Sequence, residues 1–282
     1  MTQGFIKTSY ADVWYDRTGT KGRTPMLCLH GGPGLPSDYL RGLAALGDER
    51  EVIFYDQSGC GRSTHGLAKR YHTVSHFSDE IGIVRDALDL DRIVLFGHSW
   101  GGLIATEHLK RPSTAVGVRA AILASPMVNN VQWTEDMTRN AKTLPKELAD
   151  ALIVGKPRRV FERARRRFLK QYNPHRHNDE YESAIGEMNH DIRRSLWGTS
   201  MFACTGILRG YDARHHLAYI RTPTLITTGT FDGILPTTAE EIATSMPCAE
   251  TATFRGAGHY AHIDYPKRYV ARVRHFLHEH DA

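Results

Sequence analysis

Three residue types in one chain order carry the chemistry of this sequence: a serine between glycines, a later aspartate and a still later histidine. Gly97-His98-Ser99-Trp100-Gly101 fits G-x-S-x-G, in which a serine sits on a sharp strand-to-helix turn and flanking glycines keep the turn open. Arg92–Phe96 before it is β-branched and aromatic, as a buried strand requires. Gly102–Leu109 after it reads as a helix up to Pro112, with Leu103, Ala105 and Leu109 as inward positions. That context makes Ser99 the candidate nucleophile and not a small polar cap on a glycine turn.

A serine hydroxyl needs a base to take its proton and an acid to orient that base. Pro223–Gly229 is a strand-like run ending in Thr230-Phe231-Asp232, which makes Asp232 the candidate acid. Phe254-Arg-Gly-Ala-Gly-His259 supplies the base, its glycines letting a loop reach back to Ser99. His262, three residues on, is the competitor. The oxyanion of the tetrahedral intermediate needs backbone donors, and the N–H of Trp100, next to the nucleophile, is one. The other falls in the glycine-rich loop His30-Gly31-Gly32-Pro33-Gly34 after the third strand. The chemistry calls for no cofactor and no metal. His175-x-His177 has ligand-like spacing, but no Asp, Glu or Cys set completes it.

The elements that must position these residues are legible as eight strand-like runs: 4–9, 12–15, 25–29, 51–55, 92–96, 120–123, 223–228 and 250–254. From Pro25 onward they alternate with helical patterns, the mark of a mostly parallel sheet covered on both faces. Phe77, Ile81, Val84 and Leu88 form one helical stripe, and Tyr269, Val270, Val273 and Phe276 another in the last helix, which starts at Pro266. Between about Val128 and Asp212 the alternation stops and only helical patterns remain. The sequence therefore predicts an α/β core, residues 1–127 and 213–282, with a helical cap, residues 128–212, over the C-terminal edge of the sheet.

With 282 residues and 41% hydrophobic content the chain can bury a large core. Its net charge of +5 is dispersed, with 36 Lys and Arg against 31 Asp and Glu. The dense cluster, Arg158, Arg159, Arg163 and Arg165–Arg167, shares a helix with Val160, Ala164 and Phe168 and reads as its wet face. No aromatic platform or binding motif makes it a nucleic-acid surface. Cys28, Cys60, Cys204 and Cys248 lack paired spacing and read as buried, reduced thiols. Neither a leader-like apolar region nor a run of about 18 apolar residues is present, which points to a cytoplasmic protein without a membrane partner. The sequence does not speak to oligomeric state.

His30–Gly34, Asp56-Gln-Ser-Gly-Cys-Gly-Arg-Ser63, Gly97–Gly102, the Asp232 strand end and Gly258-His259 together resemble the proline iminopeptidase family of α/β hydrolases, over nearly the whole chain. The resemblance implies an α/β-hydrolase fold, a Ser99-His259-Asp232 triad and an oxyanion hole from the N–H groups of Gly32 and Trp100. It also implies that Asp56 and Arg62 brace the loops under the site. Peptidases of this family hold the substrate's α-ammonium with two glutamates, one in the cap and one beside the catalytic aspartate. Here those positions are Met201 and Gly233. An ammonium enclosed without a partner costs several kcal/mol, unless Glu187 or Asp191 substitutes.

These departures favour a serine hydrolase acting on the ester or lactone of a small molecule with an apolar acyl part, macrolide lactones being one candidate. Trp197, Met201 and Phe202 either line its pocket or belong to the core of the cap. The competing readings are a proline iminopeptidase or amino-acid amidase with rebuilt amine recognition, an acyltransferase, and a non-hydrolytic receptor that kept the pocket.

Overall fold

The computed structural model describes residues 2–155, 158–172 and 179–281. All eight expected strands form: β1 Thr2–Lys7, β2 Asp12–Gly19, β3 Arg23–Leu29, β4 Arg50–Tyr55, β5 Ile93–His98, β6 Val118–Ala124, β7 Thr224–Gly229 and β8 Ala249–Phe254. They build one sheet in the order β1-β2-β4-β3-β5-β6-β7-β8. β1 and β2 run antiparallel at one edge, and every pairing from β4 to β8 is parallel.

Side-chain alternation along each strand divides the core into two layers. Leu27, Leu29, Ile53, Tyr55 and Leu95 pack on one face. Met26, Cys28, Val52, Phe54, Val94 and Phe96 pack on the other. Helices cover both: α1 Val74–Ala87, α2 Trp100–Leu109 and α3 Pro112–Ala115 follow β4 and β5 in the chain. The four expected stripe residues of α1 are all buried. Helix α2 departs from expectation, because it is buried on every side and has no wet face. Deleting a large side chain from such a core costs about 2–5 kcal/mol.

Among the described residues the stretch between β6 and β7 contains helices and no named strand: α4 Asn130–Ala141, α5 Lys146–Val154, α6 Arg158–Tyr172, α7 Asp179–Gly186, α8 His190–Leu196 and α9 Arg214–Leu217. Ala164 and Phe168 of α6 are buried while Arg158, Arg159, Arg163, Arg166 and Arg167 are exposed, so most of the basic cluster is a solvated face; Arg165 is half-buried. Asn129 caps α4 by accepting from the N–H groups of Val131 and Gln132, and Asn189 caps α8 through Asp191 and Ile192. The second cap also docks α8 on the core: Asn189 N–H donates to the Gly34 carbonyl at 2.8 Å, and its side-chain amide to the Gly59 carbonyl at 2.7 Å. The remaining helices are α10 Pro236–Thr244, α11 Ala261–Asp264 and α12 Pro266–His280.

The cysteine expectation holds only in part. Cys28 and Cys60 are buried, whereas Cys204 is half-buried and Cys248 exposed, because Cys248 lies in the loop ahead of edge strand β8. No helix among the described residues is long and apolar enough to cross a membrane.

Candidate active site

β5 ends at His98 and α2 begins at Trp100, which leaves Ser99 to make the whole turn. Its backbone stands at φ 56 and ψ −113, a conformation that costs a side-chain-bearing residue about 1–3 kcal/mol. The surrounding chain over-determines it. Ser99 N–H donates to the Ala124 carbonyl at 2.8 Å, and the Ser99 carbonyl accepts from Leu103 and from Met127, each at 3.2 Å. A Cβ on Gly97 would press into the Gly101 carbonyl, and one on Gly101 into the Leu29 carbonyl, so both glycines are required by close approach.

The candidate acid and the candidate base are in contact. Asp232 Oδ1 lies 2.7 Å from Nδ1 of His259 and accepts from the Ile234 N–H at 3.1 Å. Its other oxygen accepts from Ser125 Oγ at 2.5 Å and Thr228 Oγ1 at 3.0 Å. Burial pushes the Asp232 carboxyl up, but His259 and the hydrogen bonds from Ser125 and Ile234 outweigh it and hold it below its ordinary range. Ser125, missed from sequence, stands at φ 48 at the end of β6. Asn140 of α4 steadies the same loop by donating to the Asp232 carbonyl at 3.0 Å.

His262 makes no such contact. It is buried among the rings of Tyr39, Phe96, His98 and Tyr269, and burial lowers its pKa to about 3. It is a neutral core histidine. His98 is likewise held well below its ordinary range by burial, then by His259 and His262. Its Nε2 faces the His259 carbonyl at 2.9 Å and so carries the proton, leaving Nδ1 to accept from Tyr39 Oη at 2.9 Å.

Gly32 has φ 123, which only glycine adopts readily. Trp100 opens α2, so its N–H is among those without an intrahelical acceptor. The indole fixes that first turn by standing edge-on to Phe77 and donating to Gln57 Oε1 at 2.8 Å. Asp56 holds the neighbouring loops together, accepting from Ser37 N–H at 2.8 Å, Arg62 N–H at 2.9 Å and Arg62 Nε at 2.8 Å.

Gly32, Ser99 and His259 open on one cavity of about 530 Å³, within the size range of small-molecule sites. Trp197, Met201 and Gly233 line it as well. Phe202 does not. Its ring is buried edge-on against Phe168, with centroids 5.0 Å apart, and belongs to the core of the helical segment. Glu187 and Asp191 are exposed and off the cavity, and Asp191 pairs with Arg194. His175 and His177 lie outside the described residues.

Several lining residues escaped sequence reasoning. Trp133 and Met137 of α4 form part of the wall, and the Trp133 ring stands edge-on to His259 at 5.2 Å. Glu162 is the lining carboxylate among the described residues, paired with Arg165 at 3.1 Å. Arg193 reaches from α8 to donate to the Gly32 carbonyl at 2.7 Å, and burial lowers its pKa. The signal for Arg193 was its register, one helical turn before Trp197.

Residues 24–266 match the family model described as the alpha/beta hydrolase fold. A proline iminopeptidase of Heyndrickxia coagulans is 33% identical, the alignment covering 98% of each chain. The proline iminopeptidase of Mycobacterium smegmatis superposes with a TM-score of 0.90 at 26% identity, covering 99% of each chain. VinJ superposes with a TM-score of 0.91, also at 26% identity and 99% coverage of both. With the sheet order and the Ser99 turn, these likenesses make the chain an enzyme of the α/β-hydrolase family, in its proline iminopeptidase-like branch.

Proposed function

We propose that this hydrolase cleaves a carboxylic ester or lactone with a substantial apolar acyl part, through Ser99, His259 and Asp232. Residues 1–127 and 213–282 serve as the catalytic core and 128–212 as its cap. The wall around Ser99 and His259 carries the substrate reading. It is built largely from Met127, Trp133, Met137, Trp197 and Met201, with Gly233 where the family resemblance implies a glutamate. Methionines make such a wall adaptable to a bulky acyl group.

In this mechanism His259 takes the Ser99 proton as Oγ attacks the carbonyl, and Asp232 keeps Nδ1 protonated and stabilises the imidazolium. The N–H groups of Gly32 and Trp100 receive the oxyanion, each worth about 2.7–4 kcal/mol of barrier. The imidazolium then protonates the departing alkoxide, and water repeats the sequence on the acyl-enzyme. The four unpaired thiols favour a reducing, cytoplasmic setting.

A second reading, removal of an N-terminal residue, has the 33% identical iminopeptidase in its favour and Glu162 as an amine anchor. A panel of esters, lactones (macrolides included), N-blocked amides and aminoacyl arylamides separates the two on wild type and Ser99→Ala. Turnover of neutral esters well above prolyl-arylamide supports the ester reading, and the reverse order overturns it.

A further inference from the structure

Three arginines line the cavity among the described residues, and two of them are matched. Arg165 pairs with Glu162 at 3.1 Å and Arg194 with Asp191 at 3.1 Å. Arg193 has no carboxylate among the described residues. Its contacts are the Gly32 carbonyl, through Nη1 at 2.7 Å, and the face of Trp197, 5.9 Å from the ring centroid. A planar guanidinium offers a fork of five donors, so Nε and Nη2 remain unclaimed on the cavity wall. Arg193 is half-buried, and a partly desolvated cation without a counter-charge carries a cost that is recovered when an anion joins it.

Its place fixes where that anion sits. The carbonyl of Gly32 is held by Arg193, and the N–H of the same residue is the proposed oxyanion donor. An anion on Arg193 therefore lies near the proposed oxyanion hole, in the cavity that the ester reading gives to the acyl part. The same cation also repels a free α-ammonium at that spot.

We propose that Arg193 is a substrate-binding residue for a carboxylate carried by the acyl part, so that the favoured substrate is a monoester or lactone of an acid that keeps a second, ionised carboxyl. This rests on the ester and lactone reading and names the substrate class within it.

The test uses the whole enzyme and is read independently of which bond it prefers to cleave. Two fluorophosphonates are compared, one ending a short alkyl chain in a carboxylate and the other in its methyl ester. Ser99 Oγ displaces fluoride from phosphorus in both, and the second-order labelling rates are measured by mass spectrometry. The carboxylate probe should label wild type about tenfold faster or more, a charge-assisted pair being worth that much. In Arg193→Gln that ratio should collapse toward one, and in Arg193→Lys it should recover in part. A purely structural arginine would slow both probes together and leave the ratio where it was. Equal rates in wild type, or a ratio unmoved by Arg193→Gln, would overturn the assignment. Preference for prolyl-arylamide, with the probe ratio intact, would sink the ester reading and leave Arg193 in place.

Discussion

Tyr39 joins two parts of the site through one oxygen: its Oη accepts from the Gly31 N–H at 2.6 Å and donates to Nδ1 of His98, 2.9 Å away. Gly31 precedes the proposed oxyanion donor and His98 precedes the proposed nucleophile. His98 continues the chain to the backbone of His259, so the three segments that carry the proposed catalytic residues share one network. Tyr39→Phe strands the Gly31 donor and the His98 acceptor, each costing about 1–3 kcal/mol. The expected result is a lower unfolding midpoint and a fall in kcat at nearly constant KM. A change confined to KM would show that the network shapes substrate binding and not the reacting geometry.

Ser99→Ala should remove turnover on every substrate while the protein stays folded, since in the proposed mechanism the hydroxyl performs the covalent step and little packing. Circular dichroism and a residual rate below a few per cent are the checks. EDTA should leave the rate unchanged. Loss on chelation, restored by zinc, would return attention to His175 and His177.

Asp232→Asn should cost about 10⁴-fold in kcat, because the amide holds the wrong imidazole tautomer. Ser125→Ala removes one of four partners of that carboxylate and should lower kcat far less. A Ser125→Ala loss matching that of Asp232→Asn would make Ser125 part of the chemistry and not a support for it.

Acid should destabilise the fold through three neutral histidines, His108 and His262 buried and His76 half-buried. His262 titrates near 3, and His76 and His108 near 4, each lowered mainly by burial from an ordinary 6.5. The unfolded chain takes up these protons below about 6.5 while the native state does not, so their stabilisation is complete above that pH and lost progressively below it. Asp232, held low, adds a loss at still lower pH. His262→Phe should flatten the slope of unfolding free energy against pH by about one proton, roughly 1.4 kcal/mol per unit. Turnover should survive it within a few-fold. A kcat collapse would restore His262 as the base.

The strands and the serine turn were legible because short β-branched, apolar runs and paired glycines have one steric reading each. The segment between β6 and β7 was legible as helix but not as surface. Met201 and Phe202 are neighbours of similar hydrophobicity, and their backbone course alone sends one to the cavity and the other onto Phe168. Arg193 sits in a charged helix, where an arginine ordinarily faces water. Ser125 lies 107 residues from the carboxylate it supports, a distance no local pattern spans.

The glutamate positions give the last prediction. If Met201 and Gly233 mark the loss of amine recognition, wild type should cleave neutral esters faster than aminoacyl arylamides. A desolvated ammonium–carboxylate pair is worth roughly 1.5–7 kcal/mol where it has been measured. The two positions are not equally open to repair. A Cβ at Gly233 would stand 2.7 Å from Met137 Sδ and 3.2 Å from Trp133 Cη2, so Gly233→Glu must push those two side chains aside on the wall beside His259. Met201 is only half-buried and lines the cavity. Met201→Glu should therefore gain activity on a free-amine substrate and lose it on a bulky apolar ester, whereas Gly233→Glu alone should lose both. The gain from Met201→Glu should be small, because a grafted charge lacks its supporting shell, and Arg193, which lines the same cavity, would compete for it. Arg193→Gln added to Met201→Glu should then enlarge the gain. If Met201→Glu leaves the ratio of arylamide to ester kcat/KM unchanged with and without Arg193, position 201 does not govern amine recognition in this enzyme.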